Sequence, residues 1–405
     1  MAQPVVDPAD DLPRFPMARR PGFDPPTEYA RLRADDPVTP VRLRHGQRAW
    51  LVTRYADVRR VLSDPATFSS DPSRPGYPQL RPVVDRKAAP GSFLVTDPPL
   101  HTRYRRILAH DFTAARMEVW RPRVERIVEE CLDAFLASAR PADLVAGFAL
   151  PIPTQVTAAM LGVPYADREF FTSRSRRHLD RSLPAEEVRA ALGELESYLA
   201  ELIAAKDRDP GEDLVSRLVT RYLRTGEVSR DELVGMTVLL LVGGYETTAN
   251  AISLSVLALL EHRAEWERLV AEPERVDAAV DELLRYLGLT QHGLVRAVTE
   301  DVELGGRLIR AGEGVIVSLS SANRDAGRFV DADRLDVCRS AKGHLTFGWG
   351  VHQCIGQHLA RLEMSLALRA LVRRAPDLRV TVPLAEIPFH FETPFYSVRS
   401  LPVTW

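Results

Sequence analysis

His344-Leu-Thr-Phe-Gly-Trp-Gly-Val-His-Gln-Cys354-Ile-Gly-Gln-His-Leu-Ala-Arg361 decides how the rest of the chain is read. Gly348 and Gly350 precede Cys354 and Gly356 follows it; Leu359, Leu362 and Leu366 then recur at helical spacing. That pattern predicts a loop feeding a helix at the cysteine. Glycine lets backbone pass close to a flat ligand and reach angles that other residues avoid. The N–H groups of such a turn, with a helix N-terminus behind them, aim positive partial charge at one place. A cysteine held there favours its thiolate, the form that binds metal. A lone cysteine is more often a buried structural residue, but these neighbours favour ligation.

Phe347-Gly348-x-Gly350-x-His352-x-Cys354-x-Gly356 resembles the haem-ligand loop of the cytochromes P450 at every defining position. The likeness extends over most of the chain and is nearest to soluble, streptomycete-type, ferredoxin-dependent bacterial members. It implies haem b with Cys354 as the axial thiolate and sole metal ligand, seated among Phe347, Gly348, Gly350 and Gly356. Thiolate ligation pushes electron density toward bound oxygen. The implied fold is mainly α with minor β: a helical prism with a small β region near the N-terminus and in the last hundred residues.

The composition agrees with an ordinary globular protein. Of 405 residues, 45% are hydrophobic and 27% charged, with a net charge of −2. Nothing in that balance suggests nucleic acid. Cys131, Cys338 and Cys354 are too few and too scattered for a disulfide framework or a zinc site. The opening Met1-Ala-Gln-Pro-Val-Val-Asp lacks the basic and apolar regions of a signal peptide, so the expectation is a cytoplasmic protein without a membrane anchor. With no long linker and no repeat, residues 1–405 read as a single domain, residues 1–26 forming an extended arm.

Thr27-Glu-Tyr-Ala-Arg-Leu-Arg predicts a short helix, and Val41-Arg-Leu with Trp50-Leu-Val predicts a hairpin about His45-Gly46-Gln47. Prolines at 72, 75, 78, 82 and 90 make residues 71–92 a loop, and loops of that length are usually functional. By resemblance it roofs the substrate pocket. His101 and Arg105, four apart after Pro98-Pro99, share one helix face. Alone they read as a solvated basic face; the resemblance assigns them to the haem propionates. Leu100 stands where the family usually has an acid. Residues 113–139 carry a helical apolar stripe that includes Cys131. Ser173-Arg-Ser-Arg-Arg-His-Leu-Asp-Arg181 is a basic patch, either a solvated face or an attractor of an acidic substrate through Arg174, Arg176 and Arg177.

Ser229-Arg-Asp-Glu232 is a capping-box start. It opens a helical run to about His262, ~48 Å at 1.5 Å per residue. The apolar run from Leu233 to Tyr245 is too short for a membrane span and ends in a charge, so a buried central helix is expected. Gly243 and Gly244 each weaken a helix by ~1 kcal/mol relative to alanine, and therefore need a local reason. Close approach to a flat ligand and a local opening of the backbone ladder beside Thr247 are the expectation. The segment resembles the family's oxygen-activation motif, which makes Thr247 and Glu246 the catalytic, proton-delivering pair.

Glu282 and Arg285 can pair three apart on one helix face. They resemble the family's buried Glu-x-x-Arg pair, and Asp331-Ala-Asp-Arg334-Leu-Asp makes Arg334 the expected third member. By resemblance Arg296 and His352 complete the propionate set. Leu239, Val242, His292, Leu294 and Phe395 are the expected pocket wall by position, although His292 alone reads as a plain loop residue.

No Gly-x-Gly-x-x-Gly opens a βαβ unit, so electrons are expected from a separate ferredoxin and ferredoxin reductase. Arg103, Arg106 and Arg361 are candidate docking charges. The implied reaction is insertion of one oxygen atom from O2 into a small-molecule or peptide substrate by a monomeric enzyme. The default guess is hydroxylation of a macrolide, terpenoid or polyketide in secondary metabolism. Two alternatives use the same haem: oxidative aryl coupling of an aromatic peptide or phenol, and a non-catalytic haem sensor, against which the intact Glu246-Thr247 pair speaks.

Overall fold

The apolar run after Ser229 folds as one 32-residue helix, Arg230–Glu261, and the other helices pack around it. Its start is the expected capping box: Ser229 Oγ accepts from the Glu232 N–H at 3.1 Å, and the Glu232 carboxylate accepts from the Ser229 N–H at 2.9 Å. Leu233, Met236, Leu241, Tyr245, Ile252, Leu254 and Leu257 are all buried, so apolar residues face the interior on every side of the helix. A helix apolar all round belongs in a core. The computed structural model describes residues 12–80 and 87–405. Expectations for residues 1–11 of the arm, and for residues 81–86 of the proline-rich loop, lie outside the described residues.

Along the chain come strand β1 (Arg14–Phe15), helix α1 (Glu28–Asp35), the hairpin β2 (Val38–Leu43) and β3 (Arg48–Val52), helix α2 (Tyr55–Ser63) and strand β4 (Phe68–Ser69). Helices α3 (Leu100–Ala109) and α4 (Ala114–Leu136), strand β5 (Ala142–Asp143), and helices α5 (Pro151–Leu161), α6 (Arg168–Leu179), α7 (Ala185–Arg208) and α8 (Leu214–Leu218) follow. The central helix is α9 (Arg230–Glu261), and α10 (Arg263–Ala271) and α11 (Val276–Leu287) come after it. Strands β6 (Leu294–Val298), β7 (Val302–Leu304), β8 (Arg307–Ile309) and β9 (Gly314–Val317) precede α12 (Leu319–Ala322) and α13 (Gln357–Arg374). Strands β10 (Arg379–Val380), β11 (Phe389–His390), β12 (Ser397–Val398) and β13 (Pro402–Thr404) finish the described chain. This is the mainly α, minor β architecture expected.

The main sheet has the order β1-β2-β3-β9-β6-β4 and joins residues distant in sequence. β3 runs parallel to β9 with Trp50 opposite Val315, and β6 runs antiparallel to β9 with Arg296 opposite that same valine. Register therefore carries Arg296 into the body of the molecule. The described part of the arm is more than a surface strap. Phe15 is buried in β1, and Arg19 donates to the carbonyls of Leu287 and Gly288, both at 2.9 Å, at the C-terminal end of α11.

The ion pair predicted on α11 forms, but its third member differs from the expectation. Arg285 Nε reaches Glu282 Oε2 at 2.7 Å with both side chains fully buried. The remaining cation is Arg339, whose Nε lies 3.1 Å from Glu282 Oε1. Arg334 points outward, 68% exposed, and pairs with Asp336. It contributes its backbone carbonyl, which accepts from Arg285 and from Arg339. The turn after Arg334 brings the later arginine back toward α11, which local spacing does not reveal.

Candidate functional site

The Cys354 loop is built from its own backbone. The Cys354 N–H donates to the Phe347 carbonyl at 2.8 Å, and Gly348 and Gly350 hold φ of 70° and 72°. Only glycine takes such angles cheaply. At Gly350 a Cβ would also meet the Leu62 carbonyl at 2.3 Å, so this glycine seats the loop on the end of α2. At Gly356, the N-cap of α13, an added Cβ meets nothing within 4 Å. The thiol is accessible, yet protein packs all around it. Its exposure is therefore to an internal hollow. Burial pushes the thiol above its ordinary range, against the Gly356 N–H and the charges of Arg105 and Arg361. Burial thus works against the thiolate that the Gly356 N–H and these charges favour, and a cation bound at sulfur would favour it further.

On α9 the buried helix opens at one glycine and not at its neighbour. Gly243 is exposed between buried residues, and a Cβ there meets nothing within 4 Å. Gly244 was expected to face ligand as well. A Cβ there would lie 2.8 Å from Thr157 Oγ1, so its missing side chain makes room for α5. The expected opening of the backbone ladder is absent, because α9 stays helical throughout. Instead the Thr247 hydroxyl donates to the Gly243 carbonyl at 2.8 Å. Glu246 Oε2 is sealed from solvent without a partner. Burial raises the Glu246 pKa, opposed by Arg176, and the carboxyl is thereby biased toward holding its proton.

A basic cradle forms from α3, β6 and the cysteine loop. The rings of His101 and His352 lie 4.2 Å apart, and Arg296 is buried beside them. Both ring nitrogens of His101, and Nδ1 of His352, are buried without a partner, while His352 Nε2 meets Ser70 Oγ at 3.0 Å. Among the described residues Arg296 has one side-chain bond, to its neighbour's carbonyl at 2.7 Å. Buried polar groups are normally satisfied, so these donors await an anion. Burial first, then the surrounding cations, push His352 down to about 3 and lower His101. Arg105 stands at the same cluster and donates to the Gln353 carbonyl, which braces the cysteine loop. A group bearing carboxylates, with an iron for sulfur, fits these residues.

Leu294 Cδ1 lies 3.8 Å from where a Cβ of Gly348 would stand, so that part of the expected wall does border the cysteine loop. Leu239, Leu294 and Phe395 are half-buried and Val242 is buried. His292, a plain loop residue by sequence, is buried and its Nδ1 accepts from Arg181. Of the basic patch, Arg174 pairs with Glu194 at 2.7 Å and Arg177 with Glu187 at 3.0 Å.

The candidate docking arginines are also engaged. Arg103 binds Glu232 at 2.7 Å and Arg106 reaches Glu227 at 3.3 Å. Arg361 binds Asp281 at 2.7 Å and lies 4.5 Å over the Phe347 ring. Two residues escaped sequence reasoning altogether. Arg339 is one; Glu363 on α13 is the other, with both carboxyl oxygens buried and unpartnered. Nothing in Leu362-Glu363-Met364 distinguishes it from a surface glutamate.

Residues 184–398 match the family described as Cytochrome P450. The chain is 47% identical to cytochrome P450-SU2 of Streptomyces griseolus over 98% of each. It is 45% identical to the pentalenic acid synthase of Streptomyces avermitilis, covering 96% of this chain and 97% of that relative. Among solved structures it resembles the mycinamicin VIII C21 methyl hydroxylase MycCI of Micromonospora griseorubida. That pair shares 41% identity with a TM-score of 0.91, over 97% of this chain and 100% of the other. Among the described residues no helix is long and apolar enough to cross a membrane.

Proposed function

The chain belongs to the cytochrome P450 family of haem-dependent monooxygenases, and on that footing we propose that it hydroxylates a bulky, largely apolar secondary metabolite, with electrons delivered by a ferredoxin and its reductase. Bound haem supplies the dioxygen and redox chemistry. Cys354 would bind its iron, and His101, Arg296, His352 and Arg105 would take its propionates through charge-assisted bonds. The hollow at Cys354 and the opening at Gly243 are read as one space.

Within that space the chain's own work is proton handling and exclusion of water. Burial biases the Glu246 carboxyl toward its protonated form, with Oε2 sealed from solvent. Thr247 at rest donates to the Gly243 carbonyl; a rotation about its Cα–Cβ bond frees that hydroxyl to donate into the opening and to be resupplied from Glu246. Leu239, Val242, Leu294 and Phe395 supply apolar wall. The observation that carries the reading is this acid–threonine pair at the exposed glycine of a buried helix.

The test uses the haem-loaded protein. Thiolate ligation is read from the spectrum of the reduced carbon monoxide complex, and substrate class from spin-state titration. Macrolactones and terpenoids are set against short tyrosine- or tryptophan-containing peptides. A saturable shift with the first set supports the proposal; a shift only with the peptides replaces hydroxylation by aryl coupling.

A further inference from the structure

Three segments converge on His292. Arg181, just after α6, donates its backbone N–H to the Glu392 carbonyl at 2.9 Å and its guanidinium to His292 Nδ1. The next-door Gln291 donates its N–H to the Pro394 carbonyl and its side-chain amide to the Thr393 carbonyl, both at 3.0 Å. The loop before β6, the turn after β11 and the segment after α6 thus form one braced rim. Arg296, Leu294 and His292 follow one another at two-residue steps, from the basic cradle outward to that rim.

The bonding at His292 determines what it offers. A guanidinium only donates, so Nδ1 must accept, and a neutral ring then carries its hydrogen on Nε2. Burial, Arg181 and Arg44 push His292 down to about 3, so the ring is neutral at physiological pH. Nε2 has no hydrogen bond among the described residues and is not among the sealed unpartnered atoms, so it is accessible. His292 is a fixed neutral donor.

The charges acting on His292 itself, Arg181 and Arg44, are both positive. Arg44 acts on His292, while Arg176 and Arg399 act on His390 in the adjoining turn. None of these three arginines forms an ion pair among the described residues; at His390, Asp180 and Glu392 offset Arg399 and Arg176, whereas at His292 both acting charges are positive. The field of Arg176 also reaches Glu246 on α9, which links the rim to the hollow beneath it.

We propose that the rim recognises a carboxylate: the substrate carries an acidic end, held by His292 Nε2–H with Arg44 and Arg176, while its apolar body lies toward Leu294 and Phe395. The assignment rests on the reading that the hollow is the substrate pocket. A solvated basic edge would show no preference for acids over esters, whereas charge-assisted bonds favour the anion.

Spin-state titration of the haem-loaded full chain with dodecanoic and 4-phenylbutanoic acids, each against its methyl ester, tests this. The expected result is acid binding roughly tenfold tighter than ester, about 1.4 kcal/mol. The preference is lost in Arg44→Gln/Arg176→Gln and in His292→Phe, and is retained in His292→Gln, which keeps an N–H donor. Equal affinity for acid and ester, a preference that survives the double arginine variant, or no binding of either acid overturns the assignment. The reduced carbon monoxide spectrum separates the two failures. A missing thiolate band defeats the monooxygenase reading, whereas a normal band with no acid preference defeats the carboxylate site alone.

Discussion

Arg339 closes a buried charge cluster by setting its Nε 3.1 Å from Glu282 Oε1, the oxygen that also accepts from Arg285 at 2.8 Å and from the Asp336 N–H at 3.1 Å. Every acceptor site of Glu282 that the cluster uses is met by a donor from α11 or from the segment that returns past it. Removing the carboxylate strands two guanidiniums in the interior, which costs ~3–5 kcal/mol for a buried pair. Glu282→Ala is expected to fall by that amount in urea unfolding and to load little haem. Arg339→Ala should cost roughly 2 kcal/mol, and Arg334→Ala, on the surface, within about 0.5 kcal/mol. Equal losses for the two arginine variants would contradict the assignment of Arg339.

Thr247→Ala removes the hydroxyl that donates to Gly243 and leaves the wall untouched. Substrate should still produce its spin-state shift, while electrons are diverted to hydrogen peroxide. Glu246→Gln removes the acid and should lower turnover ~10²-fold, the low end for a positioned acid–base group. The ratio of product formed to reduced cofactor consumed checks both. Full coupling in Thr247→Ala would remove Thr247 from proton delivery.

Gly243 and Gly244 make opposite predictions. Gly243→Ala adds a methyl to open space and gains ~1 kcal/mol of helix propensity, so stability should hold or rise while the titration with bulky ligands weakens. Gly244→Ala presses on Thr157 and should lose ~1–3 kcal/mol as overpacking. Adding Thr157→Ala should restore most of that loss, as measured by thermal unfolding.

His101→Phe keeps the ring volume and removes both unpartnered nitrogens. A hydrogen bond to a charged group contributes ~1.5–3 kcal/mol, so haem release to a scavenging protein should quicken at least roughly tenfold. An unchanged release rate would remove His101 from the cradle.

Glu232 supplies a pH signature. Its carboxylate accepts from Arg103 and Tyr104 and from the Ser229 N–H, with Arg103 the largest influence, and its pKa is lowered to about 2. A depressed carboxylate stabilises the fold above its ordinary pKa of about 4.5, and that contribution is lost as pH falls toward 2. The stability advantage of the unaltered chain over Glu232→Gln should therefore be constant above pH 5 and shrink steadily below it. A constant gap from pH 6 to pH 3 would show that the carboxylate is not charge-stabilised.

Contiguity explains which parts of the site were legible in the chain. The cysteine loop, the capping box and the acid–threonine pair are each written within a dozen residues. Their geometry follows from local rules: glycine angles, N–H groups at a helix start and one helical pitch. The basic patch could not be resolved locally, because Arg174 and Arg177 find partners on α7, across a helix pair. The surroundings of Arg361 were hidden for the same reason, with Asp281 on α11 and the ring of Phe347 engaging its charge.

What the sequence determined by itself is the glycine-bounded cysteine loop and the capped, buried central helix, because short-range periodicity and backbone chemistry specify them; the fold class and the significance of the acid–threonine pair came through the resemblance to the cytochromes P450. What only the tertiary structure decided is which arginine completes the Glu282 cluster, which of two adjacent glycines faces the hollow, and how His292 is fixed by Arg181. Each of those depends on side chains brought together from elements tens to a hundred residues apart. At contact distance, burial and charge are set by the packed neighbours rather than by the residues next in the chain.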